Sequence, residues 1–162
     1  MGGLFFNKTK EKIVEEILLN NYNQYYRLAY SYVQNDDDAG DIVQNGAYRA
    51  IRNARNLKHE EYASTWLYRI MLNEIFTFCR KQKANVTSFI QIEQATEDSY
   101  ENIDLRRALE TLSDEERMIV ELKYFEDMKL EEIAKIMNEN LSTVKSRLYR
   151  SLRKLRLELD TE

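Results

Sequence analysis

Six lysines and arginines and no acid lie within residues 140–156, NLSTVKSRLYRSLRKLR, although the chain of 162 residues has a formal net charge of -4. Cations at that density can do one kind of chemistry unaided, the neutralisation of a polyanion. On a helix of about 100° per residue, Val144, Leu148, Leu152 and Leu155 share one stripe, which must pack on its own domain. Ser142, Ser146, Arg150 and Arg153 point away from that stripe, with Thr143 and Arg147 on one shoulder and Lys145 on the other. Small hydroxyls at the helix start allow close approach to a DNA major groove. Arg150 can then reach a base edge while Lys145 and Arg147 pair with phosphates. The plainer alternative is an amphipathic surface helix whose basic face is simply solvated.

A second constellation lies near the middle of the chain. Trp66, Arg69, Asn73, Thr77 and Arg80 fall on one face of a helix, opposite Leu67, Met71, Ile75 and Phe78. Rings that stack on unpaired bases, together with cations that hold phosphates, suit single-stranded DNA. Trp66 is equally readable as a packed core residue. Bond-making chemistry finds no support. His59 is the only histidine and reads as a loop surface residue, Cys79 is the only cysteine and reads as a small buried apolar group, and no glycine-rich phosphate loop occurs. The expectation is a protein with no catalytic residues, no metal and no cofactor.

These faces need long helices to position them. Proline is absent and glycine appears four times, so little interrupts a helix. Apolar residues recur at three and four from about residue 12 to 34, at Ile13, Ile17, Leu18, Tyr22, Tyr25, Tyr26, Ala29, Tyr32 and Val33. Asp36-Asp37-Asp38 can cap the next helix, which runs through Ile42, Val43, Ala47, Ala50 and Ile51. A polar loop at 56–61 leads to a third helix over about 62–83. Residues 84–102 lose the period and read as a linker, in which Phe89, Ile90 and Ile92 could dock. A short helix over 103–112 follows, then the capping box Ser113-Asp-Glu-Glu116, which opens a helix through Phe125. Helices over about 130–137 and 141–157 close the chain. The short helix, polar turn and basic helix with Asn140 as N-cap form a helix-turn-helix pattern.

The fold class expected is therefore all-α: two small helical domains, residues 1–84 and 103–162, joined by a flexible linker at 85–102. Halves of this size are marginally stable alone, which makes a partner plausible. Charge is divided as well, since residues 93–139 carry 15 acids and 6 bases, net -9, against +6 for residues 140–156. No apolar run approaches the roughly 18 residues of a membrane span. A single cysteine and the lack of a signal-peptide core lead us to expect a cytoplasmic protein with no membrane insertion.

The helix-turn-helix region resembles the fourth conserved region of extracytoplasmic-function (ECF) sigma factors, small initiation subunits of bacterial RNA polymerase. The likeness rests on Ala108-Leu109, Leu112, Arg117, Val120, Leu122, Leu130-Glu-Glu-Ile-Ala134 and Thr143-Val-Lys-Ser-Arg-Leu148 with Arg150. In the first half, DDAGDIVQNGAYRAIR resembles the family's D-A-E-D-x-x-Q-E-x-F-x-x-A, and TWLYRIMLNEIFTFCR resembles W-L-x-R-I-A-x-N-x-x-x-D-x-x-R. Asp38, Ala39, Asp41, Gln44, Ala50, Trp66, Leu67, Arg69, Ile70, Asn73 and Arg80 carry that match.

The resemblance implies a protein that binds core RNA polymerase, through its β′ clamp helices and β flap, and promoter DNA, with an anti-sigma factor as a further partner. Asp38, Asp41, Gln44 and Tyr48 would meet the polymerase. Lys58, His59, Tyr62, Ser64, Trp66, Arg69, Asn73 and Arg80 would open and hold the minus-ten element, with an extruded base near the loop at 57–64. Ser142, Thr143, Lys145, Ser146, Arg147 and Arg150 would read the minus-thirty-five element. The second helix departs from the family pattern: Gly40 and Asn45 replace glutamates, Gly46 replaces a helix former and Ala47 a large apolar residue. Each internal glycine costs about 1 kcal/mol against alanine, so this helix is expected to be locally weak. A stand-alone helix-turn-helix regulator is the alternative, but it would not need the motif around Trp66 and Asn73.

Overall fold

The computed structural model describes residues 9–85 and 100–160, with side chains over 9–84 and 104–160. Among these residues there are seven α-helices and no strand. The chain divides into two compact units, Met1–Asn85 and Val86–Glu162. The docking expected of Phe89, Ile90 and Ile92 falls outside the described residues.

In the first unit three helices pack pairwise around one core: α1 (Lys10–Val33), α2 (Asp36–Arg52) and α3 (Ala63–Asn85). Helix α1 starts where the Thr9 hydroxyl accepts from the Lys12 amide at 3.2 Å. It stops where Gln34 turns left-handed (φ 54°) and donates its amide to the Tyr30 carbonyl. The core face of α1 is Val14, Leu18, Tyr25, Leu28 and Ala29. Tyr22, assigned by period to the apolar stripe, is instead 43% exposed. Tyrosines repeat on both sides of this helix, so period alone cannot say which of them turn inward.

The cap of α2 also differs from expectation. Asn35, not an aspartate, caps it by accepting the Asp38 amide at 3.0 Å, and Asp36, Asp37 and Asp38 fill the first turn. Three carboxylates there favour the positive end of the helix dipole. Asp36 has a second task, since it accepts the Tyr26 hydroxyl and so ties α1 to α2. That hydrogen bond, more than desolvation, pushes the Tyr26 phenol up to about 12.

Gly46 gains a reason here. It is buried, and a Cβ built on it would lie 2.5 Å from Met71 Sδ, so its lack of a side chain lets α2 and α3 approach. Gly40 is different, with nothing within 4 Å of its virtual Cβ. The local weakness expected of α2 is thus compensated at Gly46 by packing and left uncompensated at Gly40. Arg49 and Glu74 add an ion pair at 2.6 Å across the same α2–α3 interface.

Two short 3₁₀ turns, Ala54–Asn56 and Glu60–Tyr62, replace the polar loop between α2 and α3. Ala54, Leu57 and Ala63 are buried and pin this segment to the unit, while the polar residues between them stay outside.

The second unit contains α4 (Tyr100–Glu110), α5 (Asp114–Tyr124), α6 (Leu130–Met137) and α7 (Leu141–Asp160). Helix α7 packs on α4, α5 and α6 around Met118, Ile119, Leu122, Ile133, Val144 and Leu148. The capping box at Ser113 and Glu116 is present in both directions, at 3.2 and 3.3 Å. Helix α6 closes on Asn138, which adopts the left-handed conformation (φ 55°) that asparagine tolerates better than most residues.

Candidate nucleic-acid interface

Helix α7 presents two faces. Val144, Leu148, Ser151 and Leu155 are buried against the unit, while Leu152, expected in that stripe, is only half-buried at its margin. Ser151 takes its place one residue earlier. Its hydroxyl donates to the Arg147 carbonyl at 2.6 Å and approaches Glu116 Oε2 at 3.4 Å. A buried serine in a leucine stripe offers no signal to periodicity, because a hydroxyl is tolerated inside only where such partners wait.

Glu116 is the hinge of this arrangement. Lys154 Nζ sits 3.0 Å from both of its carboxylate oxygens, and the Ser113 amide donates to Oε1 at 3.3 Å. Burial raises the Glu116 carboxyl, but the hydrogen bonds from Lys154 and Ser113 outweigh it, leaving its pKa below the ordinary value of 4.5. One carboxylate therefore joins the start of α5 to the middle of α7 and fixes how the outer face of α7 is presented.

That outer face holds Ser142, Thr143, Ser146, Arg147 and Arg150 around one shallow, open depression. Ser142, Ser146 and Arg150 are exposed, Thr143 and Arg147 half-buried, and Lys145 is exposed to one side. Five of the six predicted residues thus line one depression near the start of the helix, and Lys145 lies outside it. Arg147 is held by Glu139, Nη1 to Oε1 at 3.2 Å, a contact that the sequence reading missed.

The predicted single-strand face is also assembled. Lys58 and His59 are exposed between the two 3₁₀ turns, and the His59 ring meets Tyr62 edge-on at 5.9 Å. Tyr62 is 50% exposed. Ser64, Arg69, Asn73 and Arg80 are exposed along α3, and Arg80 Nη2 donates to Thr77 Oγ1 at 3.4 Å. Trp66 is half-buried, so it neither disappears into the core nor stands free. The opposite face is formed by Leu67, Tyr68, Met71, Leu72 and Ile75; Phe78, expected there, is half-buried. Cys79, expected to be buried, is also half-buried.

On α2, Asp41, Gln44 and Tyr48 line an exposed stripe opposite the buried Ala39, Ile42, Val43 and Ala50, and Asp38 is half-buried at its start. Ile51, assigned by period to the core, is 45% exposed beside Tyr48 at 64%. Two exposed apolar side chains three residues apart form an adhesive patch that periodicity took for core.

Among the described residues no helix is long and apolar enough to cross a membrane, and no group of histidine, cysteine and carboxylates could hold a metal ion. What the surfaces offer is recognition: hydroxyls and cations on α7, ring, amide and cations on α3, and an acid-to-apolar stripe on α2.

Comparison with known proteins agrees with this division. The family model for sigma-70 region 2 matches residues 17–85, and that for sigma-70 region 4 matches residues 102–155. The chain is 39% identical over 159 residues to RNA polymerase sigma factor SigV of Bacillus subtilis, covering 96% of each chain. It is 31% identical to the ECF sigma factor SigW of the same organism, over 83% of this chain and 82% of SigW. Among solved structures, the sigma factor RpoE of Bartonella quintana, crystallised with the anti-sigma factor NepR, aligns with a TM-score of 0.69 at 26% identity, covering 91% of this chain and 97% of RpoE. CnrH, solved with the cytosolic domain of CnrY, shares the fold at a TM-score of 0.68 and 19% identity, over 92% and 88%. A region 2 match ahead of the helix-turn-helix disfavours a stand-alone regulator, and with both regions in order and near relatives matched end to end, the chain belongs to the ECF family of RNA polymerase sigma factors.

Proposed function

We propose that this sigma factor works through three surfaces. The outer face of α7 reads the minus-thirty-five element, with Ser142, Thr143, Ser146 and Arg150 at the groove and Lys145 and Arg147 on phosphates. The segment at 57–64 and the exposed face of α3 take the unpaired minus-ten strand. Tyr62 and Trp66 supply rings, Ser64 and Asn73 hydrogen bonds, and Lys58, Arg69 and Arg80 charge, with His59 beside Tyr62. The stripe of Asp38, Asp41, Gln44 and Tyr48, extended by Ile51, docks on the β′ clamp helices. On this reading residues 1–84 are the core-binding and melting domain, 103–162 the minus-thirty-five reader that also meets the β flap, and 85–102 the linker between them.

The observation that carries the proposal is the composition of the α7 face, where three small hydroxyl residues surround one depression with Arg147 and Arg150. Small side chains leave room for DNA, and Arg150, two turns along, can span the remaining gap to a base edge. The sigma factor supplies recognition and strand opening and no covalent step of its own; phosphodiester chemistry stays with the polymerase. The protein acts in the cytoplasm, where its polymerase is. An anti-sigma factor fits the same reading, since the related RpoE is crystallised with one.

The test is reconstitution of the full chain with bacterial core RNA polymerase and run-off transcription from a library of genomic fragments. Discrete start sites that require both the chain and core polymerase are expected. Failure to bind core polymerase, or footprints formed by the chain alone, would sink the proposal.

A further inference from the structure

Glu139 lies in the turn between α6 and α7, at a position fixed by the backbone. Its amide donates to the Ala134 carbonyl at 2.9 Å, immediately after the left-handed Asn138, in the tight closure of α6. From that anchored position its carboxylate meets Arg147 Nη1, in the second turn of α7, at 3.2 Å. Arg147 lines the same open depression as Ser142, Thr143, Ser146 and Arg150. Lys145, Arg150 and Arg153 on the same helix have no carboxylate within ion-pair distance among the described residues. Of the three α7 cations assigned to the minus-thirty-five element, Lys145, Arg147 and Arg150, Arg147 is thus the one that is paired with a carboxylate among the described residues.

We propose that Glu139 is a positioning residue that occupies Arg147 as an internal substitute for a backbone phosphate, withholding it from DNA until a correctly seated duplex displaces the carboxylate. The inference rests on the reading of α7 as the DNA-facing helix. Its physical basis is competition for one guanidinium. A phosphate that arrives in random register must displace an anchored carboxylate and gains little net charge neutralisation. A phosphate delivered by a duplex whose bases fit Arg150 and the hydroxyls arrives with the other contacts already made. Glu139 therefore lowers affinity for DNA in general more than for the fitted site, which is discrimination by a built-in competitor. Both side chains are about one-third exposed, at 31% and 36%, so the exchange needs no rearrangement of the core.

The measurement is binding of the full chain to a labelled random-sequence duplex, followed by fluorescence anisotropy over a range of salt. Glu139→Gln keeps the backbone closure and removes the charge. It is expected to tighten binding at low salt by about fivefold to tenfold and to steepen the slope of log K against log salt by about 0.9, one additional phosphate contact. In the Arg147→Ala background Glu139→Gln should change neither quantity. An equal gain with and without Arg147 would reduce Glu139 to a diffuse charge and overturn the proposal. So would an unchanged affinity in Glu139→Gln while Arg147→Ala weakens binding, a result that leaves the α7 reading standing. If Arg147→Ala has no effect in either background, Arg147 is not at phosphate and the parent reading of that residue fails as well.

Discussion

Arg150 and Lys145 leave α7 in different directions, and the difference sets two separable outcomes. Arg150 lines the depression, whereas Lys145 is exposed to one side of it. Arg150→Ala is expected to cost about 1–3 kcal/mol on a matched promoter and to relax preference at one base pair. Lys145→Ala should weaken all sequences alike and lower the salt slope by about one. Selection of bound sequences checks the first and a salt titration the second; an unchanged preference would remove Arg150 from the base edge. Tyr25 tests the core in the same way. Its hydroxyl is buried and makes no hydrogen bond of good geometry; the nearby Asn21 side chain, which donates its amide to the Ile17 carbonyl at 3.1 Å, only partly offsets that burial. Burial pushes the phenol well above its ordinary range, with Tyr68 adding to the effect. Tyr25→Phe keeps the edge-on ring contact with Tyr68 at 5.0 Å and removes an orphaned polar atom. Stability in urea should rise by about 1 kcal/mol; a fall of that size would mean that the hydroxyl has a partner after all.

At the scale of elements, the two glycines of α2 should respond oppositely to the same substitution. Gly40→Ala fills open space and should stabilise by about 0.5–1 kcal/mol, because alanine restricts the unfolded chain and favours helix. Gly46→Ala drives a methyl onto the Met71 thioether in a packed interface, at about 1–3 kcal/mol, and should be a net loss despite the better helix former. Thermal melts of the two variants decide it, and a stabilising Gly46→Ala would show that Met71 moves freely. Glu116 adds a dependence on pH. Its folded pKa is depressed, so its contribution is complete above the ordinary 4.5 and is lost as pH falls through the lower folded value. The melting difference between the wild type and Glu116→Gln should therefore be greatest near neutrality and shrink in acid below the carboxylate range; a difference constant across pH would refute the linkage. Much at this scale was legible in the sequence, where caps and period speak directly: the box at Ser113 and Glu116, the span Leu130–Met137 and the α7 stripe follow from them. What escaped depends on neighbours distant in the chain. Gly46 is explained by Met71, Ser151 by Glu116, and the choice of Tyr25 over Tyr22 as the buried ring by the packing of α1 on α3.

For the molecule as a whole, the acidic composition and the cationic α7 are two sides of one arrangement. A net charge of -4 discourages the free chain from settling on arbitrary DNA, while one helix concentrates the cations that the proposed function assigns to the promoter. On the proposed division of labour, two modest sites on one chain gain from each other through effective concentration. Doubling the segment between residues 85 and 103 with glycine and serine should lower promoter occupancy by the holoenzyme by about threefold, the −3/2 power of length, and leave core binding intact. Loss of all occupancy would mean that the segment does more than connect. The half-buried Trp66 has a last consequence, of a spectroscopic kind. It is the chain's one indole, so excitation at the red edge of its absorption selects α3 above eleven tyrosines. Its emission reports the melting of the first unit alone, whereas far-ultraviolet dichroism sums the helices of both. Whether the two halves unfold together or apart can thus be read from the native protein without a label, and quenching of the same signal by an oligonucleotide would register a base arriving at that ring.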